Sequence, residues 1–214
     1  MNFLKEDIDN IKKEIPFFKK NFCEKLFNWQ DLENLLNLRP FVNIDRFHIV
    51  PLYDRLEWND TAWLSDANSY PPNVINDYIK KSVCYFSDSS RVNQKINNFC
   101  NTLENITQWP TDAHIYFSLK EKNTLREGFG IHNDKQHNII VAVEGKIKVS
   151  IFSKILPKKD ETPIIEQIME NGDCVYVPKD YFHCVSSIEK RISISFPMAS
   201  YSEIKKQDRL WIKL

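Results

Sequence analysis

The spacing of apolar residues divides the chain into two regimes. In the first, they recur mostly at helical intervals. Leu32, Leu35 and Leu36 share one helical face before Pro40 ends the segment. Val92, Ile96, Phe99, Cys100 and Leu103 line one face of a helix expected over residues 90–106. Residues 1–40 therefore read as helical in pieces, broken at Pro16. Phe17, Phe18, Phe22 and Phe27 are expected to pack as a cover over a sheet, with a dimerisation or substrate-facing surface as the sharper alternative. Short strands are expected over 47–52 and 82–86, and a short helix over 75–81. Residues 70–72, Tyr-Pro-Pro, mark a loop, and Trp58 and Trp63 read as packing anchors. His48 has no partner signal nearby and reads as structural.

In the second regime the apolar runs are short and strand-like. Residues 113–119 alternate, with His114, Tyr116 and Ser118 on one face and Ile115, Phe117 and Leu119 on the other. Further strands are expected over 139–143, 147–152, 164–169, 174–177, 183–187 and 191–196. All four glycines (Gly128, Gly130, Gly145, Gly172) fall in the stretch from 128 to 196. Gly145 reads as a hairpin turn between two strands, and Asn171-Gly172-Asp173 as another turn. The pattern predicts a mainly β fold, a β-barrel or double-sheet jelly roll with a helical N-terminal third. It is expected to form one domain over 1–214, with 1–110 a largely helical flank and 111–200 the barrel core.

Composition narrows the function. Lys plus Arg and Asp plus Glu both number 29, so no basic excess points to nucleic acid. No apolar run approaches the ~18 residues of a membrane span, and the first residues lack the apolar core of a signal peptide. Five scattered cysteines without a Cys-x-x-Cys pair argue for reduced thiols in the cytoplasm and against a structural zinc site.

The chemistry concentrates at Gly130-Ile131-His132-Asn133-Asp134. On a strand, His132 and Asp134 project together. A second histidine from a distant strand would complete two imidazoles and one carboxylate. That set holds Fe(II) on one face and leaves positions open for a co-substrate and O₂.

Two segments carry a family resemblance. Gly172-Asp173-x4-Pro178-x4-His183 resembles the second motif of cupins. Residues 129–134, followed by Val143-Glu144-Gly145-Lys146, resemble the metal-binding segment of the JmjC and cupin-like 2-oxoglutarate oxygenases. The resemblance is specific over 128–196. It implies a double-stranded β-helix core and His132, Asp134 and His183 as the catalytic iron ligands. It also implies 2-oxoglutarate as co-substrate, O₂ as oxidant, and hydroxylation or demethylation of a protein or small-molecule substrate.

One position departs from the JmjC pattern. Where a Lys or Arg usually binds the co-substrate's distal carboxylate, the chain has Ile147, flanked by Lys146 and Lys148 that would point to the opposite face. Arg191 and Ser193, eight and ten residues after His183, resemble the Arg-x-Ser motif of other 2-oxoglutarate oxygenases. A planar guanidinium suits a carboxylate, so Arg191 is the expected receptor, with Tyr116 and Asn138 as further co-substrate contacts. His137 is open between a supporting role, a substrate contact and a surface position. The competing readings are a metal-dependent cupin enzyme that does not use 2-oxoglutarate and a non-catalytic cupin-like binding protein. A homodimer is left open.

Overall fold

The computed structural model describes residues 3–38, 46–50, 72–119, 129–158 and 160–199. The expectations for Pro40, Trp58, Trp63 and Gly128 lie outside the described residues, as do residues 70 and 71 of the loop expected at 70–72, whose last residue, Pro72, instead opens a helix. In chain order the elements are α1 (Lys5–Lys12), β1 (Phe17–Lys19), α2 (Trp29–Leu36), β2 (Phe47–Val50), α3 (Pro72–Lys81), β3 (Val83–Phe86), α4 (Gln94–Thr107), β4 (His114–Ser118), β5 (His132–Asn133), β6 (His137–Glu144), β7 (Ile147–Ile151), β8 (Ile165–Met169), β9 (Cys174–Val177), β10 (Phe182–Ser187) and β11 (Arg191–Met198).

The strands form two antiparallel sheets. The larger has the order β1-β9-β6-β11-β4-β3-β2, and the smaller β5-β10-β7-β8. From β4 onward the chain passes repeatedly between them. β4, β6, β9 and β11 lie in the large sheet, and β5, β7, β8 and β10 in the small one. This is a double-stranded β-helix, the jelly roll expected from the strand pattern.

The winding corrects the reading of Gly145. It does not close a hairpin, because β6 pairs with β9 and β11 while β7 pairs with β10 and β8. Residues 145–146 instead carry the chain from one sheet to the other. Gly145 has φ +72°, and a Cβ there would stand 2.1 Å from the Lys190 carbonyl oxygen and 3.2 Å from Arg191 Cα. The crossing needs glycine for its conformation and for the close approach of the β10–β11 turn.

Burial follows the layers. β6 is buried almost throughout and β9 completely, because the large sheet is covered on both faces. Its outer face carries Ile139, Val141, Tyr176, Ile192, Ile194 and Phe196. These pack against Ile11 of α1, Leu32 and Leu35 of α2, Ile79 of α3, and Ile96, Phe99 and Leu103 of α4. Its inner face meets the small sheet through Ile140, Ala142, Val175 and Val177 against Ile147, Val149 and Ile151. β8, whose outer face meets solvent, alternates instead.

The first 110 residues contain all four described helices and also lend three strands to the large sheet. β3 pairs with β4 across residue 110, so no seam of the sheet falls there. Residues 17–19, read as part of a helical segment, form a strand that adds to the β9 edge: Phe17 lies opposite Tyr176 and Phe18 opposite Val175. Pro16 biases the residue before it toward extended backbone, and two aromatic residues suit a sheet surface.

Candidate metal and co-substrate site

The site sits inside the barrel, where β5 and β10 run side by side. Their register places His132 directly opposite His183, and the ring centroids are 4.3 Å apart. β5 ends at Asn133, so Asp134 lies just beyond the strand rather than within it. It still joins the two imidazoles: its carboxylate oxygens stand 3.9 Å from His132 Nε2 and 3.7 Å from His183 Nε2. The Asp180 N–H donates to the Asp134 carbonyl at 2.8 Å, and Lys135 pairs with Asp180 at 2.7 Å. The two segments that carry the three side chains are thereby stitched together.

Both imidazoles are fixed in the tautomer a cation needs. His132 Nδ1 lies 3.1 Å from the Gly130 carbonyl oxygen, and His183 Nδ1 lies 3.2 Å from that of Tyr181. A carbonyl only accepts, so each Nδ1 carries the proton and each Nε2 presents its lone pair to the common point. Burial lowers the pKa of His183, and His132 beside it adds to the effect against the opposing pull of Asp134. The neutral, ligating form is favoured. One donor atom from each of His132, Asp134 and His183 lies within 4.8 Å of the others. Two neutral nitrogens and one carboxylate oxygen form a donor set that fits Fe(II) or a similar divalent ion. Among the described residues no fourth His, Cys, Asp or Glu joins the cluster.

A cleft opens from the three side chains, and Arg191, Ser193, Tyr116 and Asn138 all line it. Every residue expected at the site thus reaches one cavity. Arg191 is buried, with 3 % exposure. Its Nε donates to Ser187 Oγ at 2.9 Å, and its Nη1 donates to Ser193 Oγ. Both partners are neutral, and among the described residues no carboxylate pairs with it. Burial pushes its pKa down to about 10, with Tyr116 as the counteracting neighbour. Tyr116 stands opposite Ser193 in the β4–β11 register, and burial drives its own pKa up.

The lysines that flank Ile147 point elsewhere. Ile147 is fully buried in the barrel packing. Lys146 pairs with Glu170 at 2.8 Å and Lys148 with Glu166 at 2.9 Å on the outside of the small sheet. His137 faces away from the cleft, stacked on Trp109 at 4.6 Å, and its Nδ1 lies 2.8 Å from the Tyr176 hydroxyl. It supports the helical cover and does not contact the site.

Two polar residues outside the expected set also serve the site. Ser187 supports Arg191 from across the turn, and Ser195 Oγ donates to Asn138 Oδ1 at 2.6 Å. Ser195 was visible only through sharing a face with Arg191 and Ser193. Ser187 gave no signal, since a hydroxyl at a strand end is ordinary. Val83, Ile140 and Val185 complete the apolar lining, and Phe129 stands at the cleft 5.3 Å from the His132 ring.

Known proteins bear on this arrangement. Structures of YcfD, a ribosomal oxygenase from Escherichia coli, share the fold. The complex with cobalt and 2-oxoglutarate superposes with a TM-score of 0.66 at 16 % identity, covering 95 % of this chain and 54 % of that one. The complex with cobalt and succinic acid gives 0.64 at 15 % identity, covering 98 % and 59 %. The chain therefore spans little more than half the length of these structures. No curated protein matches it in sequence. The family model described as the JmjC domain matches residues 86–205, more than half of the chain and all of the cleft's ligand-bearing strands. The chain belongs to the JmjC domain family.

Proposed function

We propose that this chain is an Fe(II)- and 2-oxoglutarate-dependent oxygenase that hydroxylates, or demethylates by hydroxylation, a protein or small-molecule substrate. The observation that carries the reading is Arg191. A buried cation without an anionic partner is costly to hold in a fold. Here it lines the same cleft as two histidines and an aspartate whose donor atoms converge. A co-substrate with one carboxylate to pair with Arg191 and a 2-oxoacid end to reach the cation would satisfy both ends of that cleft. YcfD structures that hold cobalt with 2-oxoglutarate or with succinic acid support the same choice.

In this reading His132, Asp134 and His183 hold the iron. When bound, iron supplies the activation of O₂ that couples oxidation of the 2-oxoacid to oxidation of a C–H bond. The chain's own residues do the rest. Ser187 and Ser193 aim the guanidinium, and Tyr116 offers a hydroxyl beside it. The carbonyls of Gly130 and Tyr181 keep both imidazoles oriented, while Ile140, Val185 and Val83 exclude water from the inner part of the cleft. The five unpaired cysteines fit a cytoplasmic setting. A cupin enzyme that does not use an oxoacid would leave Arg191 without a role, so the oxygenase reading is preferred.

Calorimetric titration of 2-oxoglutarate into the protein, with and without Co(II), tests this. Binding should require the cation and should be lost in His183→Ala. Oxoacid binding indifferent to the cation, or no binding at all, would contradict the reading.

A further inference from the structure

A line of donors runs through the barrel wall to Asp134. Ser195 Oγ donates to Asn138 Oδ1 at 2.6 Å, and Asn138 Nδ2 donates to Asp134 Oδ2 at 2.7 Å. The direction is forced. A carboxylate can only accept, so Asn138 must turn its nitrogen toward Asp134 and its oxygen toward β11. Only a donor there satisfies that oxygen, and the Ser195 hydroxyl supplies it. Both residues are buried, at 6 % exposure for Asn138 and 8 % for Ser195. β6 and β11 are adjacent strands, so this contact is built into the sheet.

The line makes the two oxygens of Asp134 unequal. Oδ2 holds the Asn138 amide and stands 3.7 Å from His183 Nε2. Oδ1, 3.9 Å from His132 Nε2, accepts no hydrogen bond from the described residues. We propose that Ser195 and Asn138 form a positioning pair that restricts Asp134 to one metal-ligating oxygen. This rests on the oxygenase reading and extends it. A divalent ion of six positions that takes three protein donors has room for a bidentate 2-oxoacid and for O₂. A carboxylate free to turn could chelate through both oxygens and close one of those positions. Asn138, expected to touch the co-substrate directly, thereby acts on it through Asp134.

Ligand-field absorption of the Co(II)-loaded protein, followed by titration with N-oxalylglycine, tests the pair. In Ser195→Ala and Asn138→Ala, Co(II) should bind at least as tightly as in the unaltered protein. The cobalt spectrum should change before any oxoacid is added, and N-oxalylglycine should bind roughly tenfold more weakly. Ser195→Thr keeps the hydroxyl and should restore both readouts. Unchanged spectra and unchanged N-oxalylglycine affinity in the Ala variants would overturn the proposal. So would loss of Co(II) itself, because the pair would then be building the donor rather than limiting it. If Asn138→Ala does not fold, Ser195→Ala and Ser195→Thr decide between them. Failure of the unaltered protein to take up Co(II) would count against the oxygenase reading instead.

Discussion

The two faces of the large sheet are made by the same strands and differ in almost every respect. Along β11, Ile192, Ile194 and Phe196 face the helices, and Arg191, Ser193 and Ser195 face the barrel. Along β4, Ile115 and Phe117 face the helices and Tyr116 faces the cleft. The outer face is apolar and closely packed. The inner face near the site keeps a cation, hydroxyls and an amide away from solvent. Alternation lets one strand supply stability on one side and binding on the other. Substitutions on the two faces should therefore separate folding from binding.

The largest effect belongs to the outer face. Phe196 is fully buried and stacks on Phe99 of α4 at 4.2 Å between centroids. Phe196→Ala should cost ~3–5 kcal/mol of stability, read by denaturant unfolding. Arg191→Met should show the opposite profile. Oxoacid affinity should fall about 100-fold or more, while the ligand-free protein unfolds at the same or a higher temperature. A large loss of stability there would mean that Arg191 is structural.

Gly145→Ala should affect both faces at once. The left-handed backbone at φ +72° and the 2.1 Å approach to the Lys190 carbonyl force a backbone shift beside Arg191. The expected cost is ~1–3 kcal/mol in unfolding, with weaker oxoacid binding and unaltered Co(II) uptake.

The pH dependence of oxoacid binding is a further discriminator. Arg191 must be charged to hold a carboxylate, and its folded pKa of about 10 lies below the ordinary arginine value. Affinity should be flat from neutral pH up to that value and fall about tenfold per unit above it. The sign reverses for the empty protein. A base whose folded pKa is depressed costs stability while the unfolded chain stays protonated, and that cost fades as pH rises through about 10. At the small end, Lys148→Ala removes a cation from an exposed pair with Glu166 and should change neither the unfolding midpoint nor oxoacid affinity.

Much of this was legible in the sequence, for local reasons. A helix with Ile96, Phe99, Cys100 and Leu103 on one side shows its period directly, but its start does not: expected at residue 90, it begins at Gln94, where the Asn93 side chain accepts from the Ile96 N–H. The His132–Asp134 pair and the spacing from His183 to Arg191 are short-range features, and the fold brings these residues to one cleft. What stayed hidden depends on long-range pairing. Whether β6 and β7 form a hairpin or cross between sheets is decided by partners some 30 to 60 residues away, so Gly145 reads the same either way. The strand at Phe17–Lys19 exists because β9 offers an edge more than 150 residues later. Ser187 matters only because a turn brings it under a guanidinium.

The most direct measurement is a crystal structure of the protein with Co(II) and N-oxalylglycine. The account predicts the cation bound by His132 Nε2, one oxygen of Asp134 and His183 Nε2, with the ligand's distal carboxylate on Arg191. A cation bound elsewhere, or a ligand carboxylate that leaves Arg191 unpaired, would contradict it.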